Sequence, residues 1–295
     1  MIRPPLLSKN EAIGVVAPSS PFDDQVFAGG LRILEEMGFH LILAPNLRNR
    51  HGHLAGTDQE RARDFTEMFI RSDVRAVMGA RGGFGTLRLL EELDFRIFGQ
   101  APKPLVGFSD LTVLVNVITQ RSSLITFHGP VVTSLPQSSI RSRQSLYDML
   151  TSPEFPPLTW EKAKIVRSGL AEGRLVGGNL TTLCHLLGTP YEPDFEGAIM
   201  ILEDVNEPFY RIDRMLTHLK LAGKLDQVNA VLLGDFQGCE SHEAVWDRVC
   251  HLLPRPSVPI WGNMPLGHGE ENYTWPIGAY ARLVSEGEIH FYHEG

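Results

Sequence analysis

The amino-acid sequence predicts an α/β protein, with an N-terminal domain built on a parallel sheet of βαβ units and a C-terminal mixed α/β domain. In the first half, short apolar runs rich in β-branched residues alternate with helical patterns, which is typical of βαβ units with right-handed crossovers. A proline-rich stretch then interrupts this alternation, and the pattern beyond it changes. The length of 295 residues suggests about two domains.

The domain boundaries follow from the proline-rich stretch. Pro153, Pro156 and Pro157 lie close together, so we interpret residues 151–164 as a linker between an N-terminal domain, 1–150, and a C-terminal domain, 165–295. In the N-terminal domain the patterns predict strands at 13–17, 40–44, 74–78 and 105–107. They predict helices at 24–37, from a Thr57–Glu60 capping box through Phe69, after a glycine-rich loop at 79–85, and from about Ser109.

The C-terminal domain is predicted to begin with two strands, 165–169 and 172–176, paired with each other through a turn. Further strands are expected at 198–202, 230–233, 278–284 and 288–292, and helices at 180–187 and 210–222.

The composition excludes several classes of protein. Apolar residues make up 43% of the chain, which argues against disorder, and the net charge of −8 argues against a general nucleic-acid binder. Three cysteines without a C-x-x-C pair favour neither a disulfide framework nor a thiolate zinc site. The N-terminus lacks the apolar region of a signal peptide, and no apolar run is long enough for a bilayer. We therefore expect a cytoplasmic protein with no membrane partner.

A glycine-rich segment, Arg81–Thr86, lies between a predicted strand and a predicted helix, as a dinucleotide-binding loop would. The dinucleotide fingerprint fails, because Gly83 and Gly85 are not followed by the third glycine. No P-loop and no H-E-x-x-H motif is present in the sequence either. Two interpretations remain open for the loop: backbone amides that contact an anion, or only a tight strand-to-helix turn.

Ser109 follows a predicted strand in the segment Gly107–Asp110. A serine at a sharp strand-to-helix turn can present its hydroxyl as a nucleophile. The full elbow pattern G-x-S-x-G is not met, because Leu111 stands where its last glycine would be. From this segment alone, a serine that caps the helix is the commoner arrangement.

Two acids and a histidine are the other candidates for chemistry. Glu203 and Asp204 follow four apolar residues at the C-terminal end of a predicted strand, where functional groups gather in parallel sheets. His268 lies between two glycines in a loop. Taken singly, each acid is better interpreted as part of a solvated loop, and a lone loop histidine is usually not catalytic. Together with Ser109 they supply a nucleophile, an acid and a base in a known chain order, although such a trio also arises by chance.

Seven segments of the sequence are unusual in combination: GVVAPSSP (14–21), RGGFGTLRLL (81–90), GFSDLT (107–112), FHGP (127–130), GGNLTTL (177–183), LEDVNEPFYRIDRML (202–216) and GHGEEN (267–272). Together they resemble the LD-carboxypeptidases, a family of serine peptidases that includes muramoyl-tetrapeptide carboxypeptidases and microcin C immunity peptidases. The resemblance extends over nearly the whole chain and favours the nucleophile interpretation of Ser109.

The resemblance implies two α/β domains that meet at a Ser-Glu-His triad. Carried over by motif, the nucleophile is Ser109, the orienting acid Glu203 and the base His268. The oxyanion hole would consist of the backbone amides of Asp110 and Gly83. No metal or cofactor is implied.

The family's substrate is a murein tetrapeptide, from which the terminal D-alanine is removed at an L,D bond. Asn179 resembles a position near the substrate, and Arg81 is a candidate partner for substrate carboxylates, as are Arg88, Arg211 and Arg214. For Arg211 and Arg214, a solvated or ion-paired helix face is the favoured interpretation. A peptidyl-nucleotide substrate and a non-catalytic anion-binding module at residues 79–85 remain alternatives. The resemblance is also consistent with a homodimer.

Overall fold

The N-terminal part of the computed structural model consists of five parallel strands with helices between them. The structure describes residues 1–253, 255–285 and 287–293. The strands are β1 (Ala12–Val16), β2 (His40–Leu43), β3 (Ala76–Gly79), β4 (Leu105–Gly107) and β5 (Thr126–His128). The helices are α1 (Asp24–Glu36), α2 (Asp58–Ile70), α3 (Arg96–Gln100), α4 (Thr112–Ser122) and α5 (Ile140–Thr151). The predicted βαβ alternation is therefore confirmed, and β5 and α5 are additional elements.

The remainder of the chain contributes nine strands and four helices to the described residues. The strands are β6 (Leu158–Thr159), β7 (Lys164–Arg167), β8 (Ala171–Asn179), β9 (Ile199–Val205), β10 (Ala230–Gln237), β11 (Ile260–Gly262), β12 (Trp275–Ile277), β13 (Tyr280–Ser285) and β14 (Glu288–Tyr292). The helices are α6 (Leu180–Cys184), α7 (Phe209–Leu221), α8 (Lys224–Gln227) and α9 (His242–Leu252). None of the helices in the described part of the chain combines the length and apolar character that crossing a bilayer requires.

Two sheets organise these elements. The first has the order β12-β5-β4-β3-β1-β2, and the second has the order β6-β14-β13-β8-β9-β10-β11-β7. Strand β12 pairs antiparallel with β5, so a segment from near the C-terminus completes the first sheet. β6 lies within residues 151–164 and pairs with β14 in the second sheet. The parallel first sheet and the mixed second sheet confirm the predicted fold class.

The predicted pairing of 165–169 with 172–176 is wrong. β7 pairs with β11, whereas β8 lies between β13 and β9, four positions away in the same sheet. The four Cα steps from Arg167 to Ala171 span at most about 14 Å, and four strand spacings in a flat sheet come to about 19 Å. The second sheet must therefore curl to bring β7 back towards the start of β8.

Two predicted helices are shorter than expected. The helix expected at 180–187 ends at Cys184, and the glycine-rich loop leads into a single 3₁₀ turn, Thr86–Leu89. The capping box at the start of α2 is confirmed. The Thr57 hydroxyl accepts from the Glu60 amide at 3.2 Å, and the Glu60 carboxylate accepts from the Thr57 amide at 2.8 Å.

Helix α4, which follows β4 of the first sheet, is joined to β8 of the second sheet by the buried side-chain amide of Asn116. Asn116 donates to the Gly177 carbonyl at 2.8 Å and accepts from the Gly177 amide at 2.9 Å. Its Nδ2 also donates to the Thr112 carbonyl at 2.8 Å. Two residues further along β8, the Asn179 amide donates to the Thr112 hydroxyl at 3.0 Å. These bonds fix the start of α4 against the end of β8.

An Asn116→Ala variant should be destabilised by about 2–4 kcal/mol, because both polar backbone groups of Gly177 would be left buried without partners. The free energy of unfolding from urea titration measures this. Asn229 is a matched control, since its exposed side chain donates to the Glu172 carbonyl; Asn229→Ala should cost under about 1 kcal/mol. Equal losses in the two variants would contradict the role of Asn116.

Candidate active site

Ser109 stands on a sharp turn between β4 and α4. Its φ of +61° lies in the left-handed region, which is uncommon for any residue other than glycine. It begins a 3₁₀ turn, Ser109–Leu111, and α4 follows with Leu111 at its N-cap and no side-chain cap. The helix-capping interpretation of Ser109 is therefore wrong. A strained serine at the end of a parallel strand is the arrangement of a nucleophile elbow.

Glu203 and His268 are directly bonded. Glu203 lies near the C-terminal end of β9, with no exposed surface, and its Oε2 is 2.7 Å from His268 Nδ1. The solvated-loop interpretation is thus wrong for this acid. Gly267 has a φ of +125°, and a Cβ there would lie 3.2 Å from Glu203 Oε2. A glycine before His268 lets the loop pass close to the carboxylate.

A β-bulge in β10 holds the His268 loop in place. The pairing of β10 with β9 shifts register between Leu233 and Phe236. The Asp235 amide, freed by the bulge, donates to the Leu266 carbonyl at 2.9 Å, and the Met264 amide donates to the Leu233 carbonyl at 3.0 Å. The loop that carries His268 is therefore anchored to the strand next to Glu203.

Phe108 links the two halves of the site. It directly precedes Ser109, and the centre of its ring is 4.8 Å from that of His268. The structure therefore brings together the turn of Ser109, which follows β4 of the first sheet, and the pair formed by Glu203 on β9 of the second sheet and His268 in the loop between β11 and β12.

The charged groups around His268 favour the protonated form of its ring. Burial by itself lowers the pKa of His268, but the charge of Glu203 and its hydrogen bond outweigh burial, with further contributions from Asp204 and Asp235. The net effect holds the pKa of His268 above its ordinary value. Such a histidine can take up a proton and be stabilised by its carboxylate partner.

The glycine-rich loop packs against Ser109. A Cβ on Gly82 would lie 2.9 Å from Ser109 Oγ, and Gly83 adopts a φ of +117° beside Ser20. Within the described residues, the amides of Gly83 and Asp110 donate to no protein acceptor. One of these free amides thus follows Ser109 directly, and the other follows Gly82, which lies against Ser109.

The carboxylate of Asp110 holds this loop. Its Oδ2 accepts from the Ser19 hydroxyl at 2.6 Å and from the Thr86 amide at 3.0 Å. The amide at the start of the 3₁₀ turn is therefore already bound to an anion of the protein itself. This occupancy removes one of the donors that an independent anion site at residues 79–85 would need.

Asp204, the neighbour of Glu203, is part of a buried polar network. It accepts from the amide and hydroxyl of Thr181, from Asn179 Nδ2 at 3.0 Å, and from its own neighbour Val205. Burial, with the charge of Glu203, raises the pKa of Asp204. Asn179 also caps α6 by accepting from the Thr182 amide. Its place near the substrate remains a prediction, and in this structure its side chain is buried and bonded within the protein.

The candidate arginines have different surroundings. Arg81 is exposed at the Ser109 loop and donates to the Pro21 carbonyl at 2.5 Å. Arg88 is paired with Asp58 at 2.7 Å. Arg211 is paired with Glu207 at 3.3 Å, and both Arg211 and Arg214 lie over the Tyr210 ring. The two helix arginines therefore fit the favoured interpretation of a surface face, and Arg81 directly precedes Gly82, whose backbone lies against Ser109.

Sequence reasoning missed His128 and Asn272 as members of the site. His128 ends β5 and is fully buried, and the Asn272 side chain accepts from the Gly267 amide at 3.2 Å. His128 stands at the C-terminal end of a buried parallel strand, as Glu203 does, but Thr126 interrupts the apolar residues before it.

Two family models match the chain. The model described as the LD-carboxypeptidase N-terminal domain matches residues 13–129, which include Ser109. The model described as the LD-carboxypeptidase C-terminal domain matches residues 172–283, which include Glu203 and His268.

Known proteins similar to this chain include a "Probable murein peptide carboxypeptidase" of Bacillus subtilis, 38% identical over 95% of this chain and 91% of that protein. A "Murein tetrapeptide carboxypeptidase" of Pseudomonas aeruginosa is 35% identical over 92% of each chain. The solved muramoyltetrapeptide carboxypeptidase of Oxalobacter formigenes superposes with a TM-score of 0.82 at 30% identity, covering 95% of this chain and 97% of that one. A structure of MccF with glutamyl sulfamoyl guanosine gives 0.91 at 23% identity, covering 99% and 98%, which is a likeness of fold.

The pKa of His268 should depend on the carboxylate of Glu203. NMR of ¹⁵N-histidine-labelled protein should show His268 titrating above about 6.5, and Glu203→Gln should lower the pKa of His268, because burial then acts without the opposing carboxylate. Glu207→Gln, which removes a charge outside this pair, should leave the titration unchanged. An unaltered His268 pKa in Glu203→Gln would contradict the coupling.

Proposed function

This chain belongs to the LD-carboxypeptidase family of serine peptidases, as its motifs predict, and we propose that it removes the terminal D-alanine of murein tetrapeptide through a Ser109-Glu203-His268 triad. The observation that carries the proposal is the 2.7 Å bond between His268 and the buried Glu203, beside a serine held at positive φ. A cytoplasmic location and a role in cell-wall recycling are part of the same proposal.

The geometry supports a standard acyl-transfer sequence. Because His268 Nδ1 faces Glu203, its Nε2 is the nitrogen available to Ser109. As the Ser109 hydroxyl oxygen attacks the scissile carbonyl carbon, its proton moves to Nε2, and the resulting imidazolium is stabilised by Glu203. The same proton then passes to the leaving amine of D-alanine. A water molecule completes the cycle: its oxygen attacks the acyl carbon as its proton moves to His268 Nε2, and that proton passes to the Ser109 oxygen when the acyl bond breaks and the acid product leaves.

The proposed oxyanion hole consists of the amides of Asp110 and Gly83. Both are free of protein acceptors within the described residues, and both belong to segments in contact around Ser109. Their loops are fixed by the Asp110 carboxylate, so the donors need little reorganisation when charge develops. Each such donor is worth about 2.7–4 kcal/mol in comparable enzymes.

We propose that Arg81 takes part in substrate recognition. Asn179, which is held by its hydrogen bonds with Asp204 and Thr182, is proposed to take part as well. The tetrapeptide carries several carboxylates and the protein has a net charge of −8, so a local cation is needed to offset the mean field. Arg81 is exposed beside the Ser109 loop. Asn179 retains one amide hydrogen beyond its bonds to Asp204 and Thr182. A peptidyl-nucleotide substrate is the second candidate, because the chain is 28% identical to the microcin C7 self-immunity protein MccF of Escherichia coli.

Purified protein incubated with murein tetrapeptide should release free D-alanine, detected by mass spectrometry as the loss of one residue. A tetrapeptide that ends in L-alanine should not be cleaved, and Ser109→Ala should be inactive on both. Cleavage of a peptidyl-nucleotide with none of the tetrapeptide would replace the first candidate by the second.

Glu203→Gln should lower turnover by about 10⁴, the size of the loss for the analogous change in a serine protease, because the imidazolium loses its partner. Asp204→Asn should be much milder in turnover, since Asp204 bonds to Asn179 and Thr181 and not to His268. Its cost should appear in the free energy of unfolding.

The triad acts as a unit, so Glu203→Gln combined with Ser109→Ala should be little worse than Ser109→Ala alone. Circular dichroism of each variant separates lost chemistry from lost folding. A nearly silent Glu203→Gln with a crippling Asp204→Asn would move the acid by one residue.

A further inference from the structure

A second histidine, His128, lies behind the Glu203–His268 pair. It ends β5, in register with Gly107 on one side and with Trp275 of β12 on the other. The centre of its ring is 5.9 Å from that of Phe108, whose ring also lies 4.8 Å from that of His268. A Cβ on Gly178 would lie 3.1 Å from His128 Nδ1, so the ring also contacts the end of β8 next to Glu203's strand.

Buried polar atoms without protein partners are concentrated here. Within the described residues, neither ring nitrogen of His128 is bonded, nor is Oε1 of Glu203, nor Nδ2 of Asn272. His128 and Glu203 have no exposed surface, and Asn272 is also buried. A buried carboxylate oxygen without a donor is costly, and so is a buried imidazole without partners. Such costs are usually met when the groups satisfy one another.

The donors and acceptors of these three side chains are complementary. A neutral imidazole has one N–H donor and one acceptor nitrogen. Glu203 Oε1 lacks a donor, which the ring N–H of His128 can supply. Asn272 Nδ2 lacks an acceptor, which the other ring nitrogen can supply. A single orientation of His128 can therefore satisfy both. Asn272 is held for this by its bond from the Gly267 amide, and Gly267 itself lies against Glu203.

The charge state of His128 suits this arrangement. Burial lowers the pKa of His128 to about 4, and the proximity of His268 lowers it further, against the opposing effects of Glu203 and Asn272. The ring is therefore neutral wherever His268 titrates. The groups that face it are Glu203 from β9, His268 from its loop, and Asn272.

We propose that His128 is a positioning residue, which accepts from Asn272 and donates to the second oxygen of Glu203, directly or through one water molecule, so that Glu203 presents its other oxygen to His268. The inference deepens the proposed function and rests on Glu203 being the triad's acid. In this arrangement Asn272, His128, Glu203 and His268 form one chain of hydrogen bonds that ends at Ser109.

His128→Phe is the central test, because it keeps a ring and removes both nitrogens. Turnover should fall about 10- to 100-fold, the effect of losing one hydrogen bond to a charged group. The acidic limb of kcat/KM should move to higher pH. Glu203 without its second donor would stabilise the deprotonated pair less and hold the proton of His268 more tightly. His128→Gln, which restores an N–H, should recover part of both effects.

The control is Thr126→Val. Thr126 is two residues earlier in β5, on the same face and equally buried, and it bonds to Thr119 and Val115. This variant should lose stability without moving the pH profile. If His128→Phe behaves like Thr126→Val, with lower stability and an unmoved acidic limb, His128 is only a packing residue and the proposal is wrong.

A measurement on the unaltered protein covers a variant that fails to fold. The ¹⁵N spectrum should show His128 as one neutral tautomer with a slowly exchanging ring proton, whose shift changes as His268 titrates. Averaged tautomers with a fast-exchanging proton would overturn the proposal. Glu203→Gln separates the two levels: if it is inactive while His128→Phe keeps the parent profile, only this inference fails, whereas a fully active Glu203→Gln removes the proposed function as well.

Discussion

The bond between Asn116 and Gly177 is the constraint on which the site depends. Ser109 follows a strand of the first sheet, Glu203 lies on a strand of the second, and His268 lies in the loop between β11 and β12, so no single sheet fixes the distances between them. Asn116 joins α4, which starts just after Ser109, to the backbone of β8, which is in register with β9 up to Glu203. The chain adds a second tie by returning near its end to place β12 on the first sheet. A site shared by two sheets is thereby tied together by hydrogen bonds between them.

The pleat of β9 gives two adjacent acids different tasks. Successive side chains of a strand point to opposite faces, so Glu203 faces the loop of His268, whereas Asp204 faces Asn179 and Thr181. Asp204 has all of its acceptors occupied by protein donors and ties β9 to the start of α6. Glu203 has one oxygen on a titratable partner. Of these two adjacent carboxylates, Asp204 is thus structural, whereas Glu203 on the opposite face of β9 is available for catalysis.

Local patterns in the sequence predict most of the first domain, because each βαβ unit is formed by neighbouring residues. They also place Ser109 and Glu203 correctly at the ends of parallel strands. The pairing of β7 with β8 fails because adjacent segments favour a hairpin on local grounds, whereas the curl of the sheet depends on β11, about 90 residues away in the chain. The helix-capping interpretation of Ser109 fails for a similar reason. Propensity cannot show that the contact with Gly82 and the turn after β4 force a positive φ.

The contrast between His128 and His268 shows how the site limits where a proton can rest. Both rings contact Phe108, and both lie near the same carboxylate. His268 is directly bonded to Glu203 and partly open to solvent, so its charged form is stabilised. His128 is completely buried, and burial outweighs the nearby charge of Glu203, so its charged form is not. In the proposed mechanism, a proton taken from Ser109 therefore has one stable position, on His268. A second chargeable histidine at this place would compete for Glu203 and weaken the base, so a neutral ring is the compatible neighbour.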